Sequence, residues 1–243
     1  LVSIEGGLKD NAIVKTAVAV IAVNESDIQT VKDCVSHMEY LFKHEYVVSD
    51  PDIKVAAEIT DSSSEAAAND MMDNISTNRV IAALVNMPYG IQGMSSNIEG
   101  LVESSLNLGI LKTTDTEVVL SYCVRSSIAS RKQEMLDKIT SLTELLSGYV
   151  TLTGDYPAWE YRQDSPLRDL MKDIFTEQYG REPVIQALHA GVECGLFAGK
   201  IPDLDCVSFG PDMKDIHTTN ESMDVESVKR TWEYTLEILK RLK

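Results

Sequence analysis

The chain has 243 residues, 44% hydrophobic and 25% charged, which suits one large domain or two modest ones and excludes a disordered chain. Its formal net charge is -16, from 38 acidic against 22 basic side chains, so nucleic acid and anionic membrane surfaces are excluded as expected partners. No apolar run is long enough to span a bilayer, and four scattered cysteines without CxxC spacing point to a reducing cytoplasm rather than a disulfide scaffold.

The chain begins at Leu1 inside what reads as a strand, with no initiator Met and no signal peptide, the expected start of a fragment. Residues 17–23, AVAVIAV, predict a strand. A helix is expected from about Ser26 to His44, with Val31, Cys34, Val35, Met38, Leu41 and Phe42 as its buried stripe and His37 and His44 exposed. Ser49-Asp50-Pro51-Asp52 interrupts the pattern.

From Ile53 the order predicts a strand over 53–59, then a helix over 63–86 with Ala67, Met71, Ile75 and Leu84 inward. A loop follows over 87–93, then strands over 102–111 and 117–125 joined by the polar turn at 113–116. A helix from about Ser130 carries Met135, Ile139, Leu142 and Leu146 on one face; Gly148 ends it, and a strand over 149–153 closes the series. This is the split β-α-β-β-α-β order with an extra N-terminal β-α part, an α+β fold whose sheet edges suit a docked partner or a homodimer.

GDYPAWEYRQDSP then changes the texture and reads as a domain crossing, which puts the expected boundary between residues 1–153 and 154–243. Ser165-Pro166 predicts a helix start, Leu167, Leu170, Met171, Ile174 and Phe175 its buried face, and Gly180 its stop. Strands over 183–190 and 205–210 flank a short helix over 191–199. A last helix from about Asp224 is expected to bury Val225, Val228, Trp232, Leu236, Leu239 and Leu242. This α/β fragment is thin and should lean on something else.

Read residue by residue, the chemistry is sparse. His217 lies in GPDMKDIHTTNE just past an expected strand, where it is either a plain loop histidine or a zinc ligand. Zinc takes about four ligands, so one histidine makes no site. His189 and Glu193 in LHAGVECG are a substrate-facing loop or a packed histidine with a helix-start acid. Asn11 follows Gly6-Gly7 and suits a carboxylate or a simple turn, and Arg125 suits a carboxylate or a surface ion pair. No GxSxG, Walker, GxGxxG or HExxH string occurs.

Taken in order, GGLKDNAI, SLNLG, GDYPAW, HAGVECGLF, SFGP with a histidine seven residues beyond Gly210, and the closing helix resemble the aminoacyl-histidine (Xaa-His) dipeptidases of the dizinc dipeptidase and aminoacylase family. The resemblance covers essentially the whole chain. It implies that residues 1–153 are a lid and 154–243 the C-terminal part of an α/β catalytic domain. The N-terminal catalytic segment, with most of the ligands for two zinc ions, would then be missing as a partner to this chain. His217 is then the last zinc ligand, and Asn11 and Arg125 grip the carboxylate and carbonyl of a dipeptide. His189 and Glu193 belong to the substrate loop, and no catalytic acid or base lies within the chain. Val14 after NAI, where the family has Pro, and Thr218-Thr219 after His217, where it has Ser-Pro, depart from the pattern. The resemblance implies carnosine-like dipeptide hydrolysis by zinc-activated water, with the chain inactive alone. The rival expectations are a non-catalytic dimerisation module, or another dizinc peptidase or aminoacylase.

Overall fold

The structure is a computed structural model that describes residues 1–60, 71–186, 193–216 and 218–242. By its contacts the chain divides into two compact units, one of residues 1–86 and 107–123, the other of residues 87–106 and 124–243.

In the first unit, strands β1 (Ser3–Gly6) and β2 (Ala17–Val20) pair antiparallel, with Ser3 opposite Val20 and Gly6 opposite Ala17. Strand β4 (Val102–Thr113) joins them where Gly6 faces Leu111, and strand β5 (Val118–Ser126) pairs with β4. The Thr113 hydroxyl fixes this register, accepting from the Ile4 N–H at 2.8 Å and donating to the Ile4 carbonyl at 3.0 Å. Helix α1 (Ile28–Glu45) follows a turn at Glu25–Asp27 and buries no residue fully; Cys34 and Leu41 of its expected stripe are exposed, as are His37 and His44. Helix α2 (Asn74–Asn86) buries Ala83, while Met71 and Ile75 of the expected inner face are exposed. Ala67 lies outside the described residues.

In the second unit, β3 (Gly90–Met94) runs antiparallel to β4, with Gly90 opposite Leu106 and Met94 opposite Val102. This corrects the expected loop over 87–93. Pairing along β4 satisfies the backbone of this segment from Gly90 on. Ser104 and Ser126 share a hydroxyl hydrogen bond of 2.9 Å across the β4–β5 ladder. Helix α3 (Ala129–Leu145) buries Met135 and Ile139, as its spacing predicted.

Four expected strands are corrected. Residues 53–59, 149–153 and 205–210 are not strands, nor is the described part (183–186) of the fourth. An apolar run specifies burial, whereas a strand also needs a neighbour for its N–H and C=O groups. Among the described residues the α+β class stands in its coarse form, as six α-helices and paired strands, without the outer strands of the split pattern.

Helix α4 (Pro166–Tyr179) begins as the sequence requires. Pro166 occupies its first turn, the Ser165 hydroxyl accepts from the Arg168 N–H at 3.1 Å, and Gly180 ends it in the left-handed region at φ 67°. Ser165→Ala should cost about 1 kcal/mol, read as a lower denaturant midpoint with an unchanged slope; no change in midpoint would remove Ser165 as the cap. Helix α5 is Glu193–Lys200, and β6 (Met213–Lys214) and β7 (Ser222–Met223) form a small hairpin ahead of helix α6 (Val225–Arg241), which Asp224 caps through the Ser227 N–H at 2.9 Å.

The core of this unit is Met171 and Ile174 of α4 against Tyr234 and Ile238 of α6. The Tyr234 hydroxyl donates to the Met171 carbonyl at 2.6 Å, and burial pushes that phenol above its ordinary pKa. Helix α6 therefore turns its Ser227–Tyr234–Ile238 face inward. The stripe expected to be buried is exposed instead, with Trp232 at 62% and Leu239 at 61%. Both faces of this helix are apolar, and within the described residues α4 meets the one carrying Tyr234.

Candidate functional site

Asn11 sits on the loop between β1 and β2, in the first unit, and is exposed. That loop is held from β4. The Asn107 amide donates to the Asp10 carbonyl at 2.8 Å and to the Ala12 carbonyl at 2.9 Å, one on either side of Asn11. Gly7 turns at φ 75°, in the left-handed region, and Gly109 supplies a bare backbone against the Lys9 and Asp10 carbonyls. The sequence signalled the turn through Gly6-Gly7 and marked Asn107 within SLNLG, but not the partners of Asn107, which lie 97 and 95 residues away.

Arg125 is half-buried on β5, and Glu193 is the exposed first residue of α5. Both belong to the second unit. His189 and His217 lie outside the described residues. The flanks of position 217 are defined by β6 and β7, with Met213 opposite Met223 and Lys214 opposite Ser222. The Asp224 N–H donates to the Asp212 carbonyl at 3.0 Å, so the hairpin leads directly into the α6 cap.

The segment that the sequence marked as a crossing is gripped from two sides. The Lys132 ammonium of α3 reaches the Asp155 carboxylate at 2.6 Å and the Tyr156 carbonyl at 2.7 Å. On the other side, Gly195 and Gly199 of α5 lie against Pro157. A methyl group at Gly195 would stand 2.9 Å from the Pro157 carbonyl oxygen, and one at Gly199 would stand 2.7 Å from the proline ring. GDYPAW and the described end of HAGVECGLF, two of the strings singled out in the sequence, are thus packed together.

Beside them the second unit has a cleft of about 420 Å³, lined in part by Trp159, Tyr161, Arg162, Arg168, Asp205 and Cys206. Its cations are tied to the backbone. Arg168 donates to the Arg162 and Gln163 carbonyls, both at 2.6 Å, and stacks 4.9 Å from the Tyr161 ring centre. Arg162 donates to the Asp164 and Asp203 carbonyls, both at 2.6 Å. Asp205 accepts from the Ser165 hydroxyl at 2.6 Å and the Leu167 N–H at 2.9 Å, anchoring the start of α4. These groups build walls and are already engaged. Burial, followed by the neighbouring Cys194, pushes the Cys206 thiol above its ordinary pKa. Neither Asn11, Arg125 nor Glu193 lines the cleft. Among the described residues no group of three or more His, Cys, Asp and Glu side chains could hold a metal ion, so these residues do not fit a complete metal centre.

Comparison with known proteins supplies what the geometry alone leaves open. The chain is 32% identical over 244 residues to the cytosol non-specific dipeptidase of Escherichia coli (strain K12), a match that takes in 100% of this chain and 49% of that protein. Its fold superposes with a TM-score of 0.89 on the crystal structure of aminoacylhistidine dipeptidase from Vibrio alginolyticus, at 30% identity, over 100% of this chain and 49% of the other. The chain therefore spans about half the length of these relatives. The profile of peptidase family M20/M25/M40 matches residues 5–241, nearly from end to end, and to that family the chain belongs.

Proposed function

We propose that this chain is the lid (1–153) and the C-terminal catalytic part (154–243) of a cytoplasmic metallodipeptidase that hydrolyses Xaa-His dipeptides. The observation that carries the reading is the end-to-end match to one half of proteins named as dipeptidases, one of them an aminoacylhistidine dipeptidase. The HAGVECG string supports the histidine preference over a tripeptidase or aminoacylase.

In this reading His217 is one zinc ligand, and the remaining ligands come from the N-terminal catalytic segment of the longer polypeptide. Bound zinc would supply an acidified water. The residues of this chain bind and orient. Asn11 projects from a loop fixed at both flanking carbonyls, which suits it to hold a substrate carboxylate or carbonyl in one position. Arg125 offers a planar fork to a carboxylate. His189 and Glu193 belong to the substrate loop, where an acid suits the dipeptide's amine.

The exposed stripe of α6, with Trp232 and Leu239 facing water, suits a chain that packs against further polypeptide. That same stripe favours a second reading, in which the chain is a non-catalytic dimerisation module. One experiment separates the two. The chain and the longer protein would each be purified, tested for zinc content and for turnover of carnosine against dipeptides without histidine, and sized by light scattering. The expected result is no turnover and no stoichiometric zinc for the chain, with turnover and a histidine preference for the longer protein. Turnover by the chain alone would sink the division of labour, and equal rates on all dipeptides would sink the histidine preference. An inactive longer protein would leave the dimer reading in possession.

A further inference from the structure

Two thiols lie at the junction of α5 with the segment that follows it, outside the residues assigned to hydrolysis. Cys194 is in the first turn of α5, Cys206 lies twelve residues on, and the Cys206 sulfur is 4.0 Å from the Cys194 carbonyl oxygen. The Cys194 thiol and the Trp159 side chain are close neighbours of the Cys206 thiol. Both cysteines are half-buried and reduced, reachable by a small reagent yet held side by side. The other two have a different setting, since Cys34 is exposed on α1 and Cys123 lies on β5 in the first unit.

We propose that Cys194 and Cys206 are a reversible modification site, a dithiol that closes to a disulfide on reaction with a low-molecular-weight disulfide of the glutathione type. The Cys194 thiolate attacks one sulfur of the reagent, forming a mixed disulfide and releasing one glutathione thiolate, which takes up a proton. Cys206 then loses its proton to solvent and attacks the Cys194 sulfur. The second glutathione leaves as thiolate and is protonated in turn. The pair gives up two electrons and two protons, and one disulfide becomes two thiols. Burial raises the Cys206 thiol above its ordinary pKa, which favours Cys194 as the first attacker and Cys206 as the resolving thiol.

Closure would tie the first turn of α5 to the segment before Phe209. Gly195 and Gly199 of that helix carry Pro157, so the bond would stiffen the seat of the GDYPAW segment. This inference stands apart from the dipeptidase reading, because it needs neither zinc nor substrate.

The test is to equilibrate the chain with graded ratios of glutathione disulfide to glutathione, block free thiols, and map the peptides by mass spectrometry. A peptide pair joined through Cys194 and Cys206, two hydrogens lighter and restored by dithiothreitol, is expected at ratios where Cys34 carries only glutathione. Of the chain's two tryptophans, Trp232→Phe leaves Trp159 as the sole reporter, and its fluorescence should fall as the disulfide forms beside it. Cys206→Ser should instead trap glutathione on Cys194. Separate glutathione adducts on both cysteines in the unsubstituted chain, or links to Cys34 or Cys123 in equal yield, would overturn the assignment.

Discussion

Gly109→Ala is expected to destabilise the first unit by about 3 kcal/mol and to loosen the loop that carries Asn11. A methyl group at this position would overlap the Lys9 and Asp10 carbonyls, which are backbone atoms with no side chain to swing aside. On the other side of the contact, Gly7 at φ 75° is pressed against the Gly109 carbonyl, so neither strand nor loop has room to give. The loop must move, and in doing so it gives up the paired hydrogen bonds from Asn107. Thermal unfolding and amide exchange over residues 7–16 would report both effects. Gly93→Ala is the matched control, since its nearest neighbour would stand at 3.9 Å, an ordinary contact. On the function proposed above, Gly109→Ala in the longer protein should raise KM for an Xaa-His dipeptide and leave metal content unchanged. Unchanged exchange across the loop would show that the close approach does not constrain it.

Ile174→Ala is expected to cost about 2–5 kcal/mol, because the side chain is 0% exposed and sits among Met171, Tyr234 and Ile238. The rigid rings of Phe175, Tyr179 and Phe209 surround Tyr234 at centroid distances of 5.7, 6.5 and 5.4 Å, so the cavity cannot collapse freely. Leu239→Ala, on the exposed side of α6, should change stability by no more than about 0.5 kcal/mol. The contrast matters more than either number. Calorimetry that found the two substitutions equally damaging would mean that α6 buries the Trp232–Leu239 stripe after all.

The ends of α4 and the start of α6 were legible because they depend on local chemistry, whereas the first helix, expected from Ser26, starts at Ile28 after the Glu25–Asp27 turn with no side-chain cap at Asp27. Ser165, Pro166, Gly180 and Asp224 act within one turn of their own positions, and each takes the place its residue type predicted. The missed strands depend on partners. Val55 and Val207 look alike in an apolar run whether or not a ladder neighbour exists, and Gly90–Met94 looks like a turn until β4 is beside it. The face of α6 failed for a related reason. Its pattern contains two apolar stripes, and the choice between them is made by α4, not by the helix itself. At the site, the sequence marked Asn11, Arg125 and Glu193, and all three have described positions on a loop, a strand and a helix start. SLNLG was marked as a string, but the contacts that Asn107 and Gly109 make from it, like those of Lys132, work across long separations in the chain and are not legible in the sequence.

The bare side of α6 also governs how this polypeptide behaves in a tube. Its surplus of negative charge keeps molecules apart in dilute buffer, but that repulsion fades beyond about 8 Å at physiological ionic strength. Once it is screened, Trp232, Leu236 and Leu239 can reach their counterparts on a neighbouring molecule. Added salt is therefore expected to promote association of this chain through that helix, which light scattering against ionic strength would show.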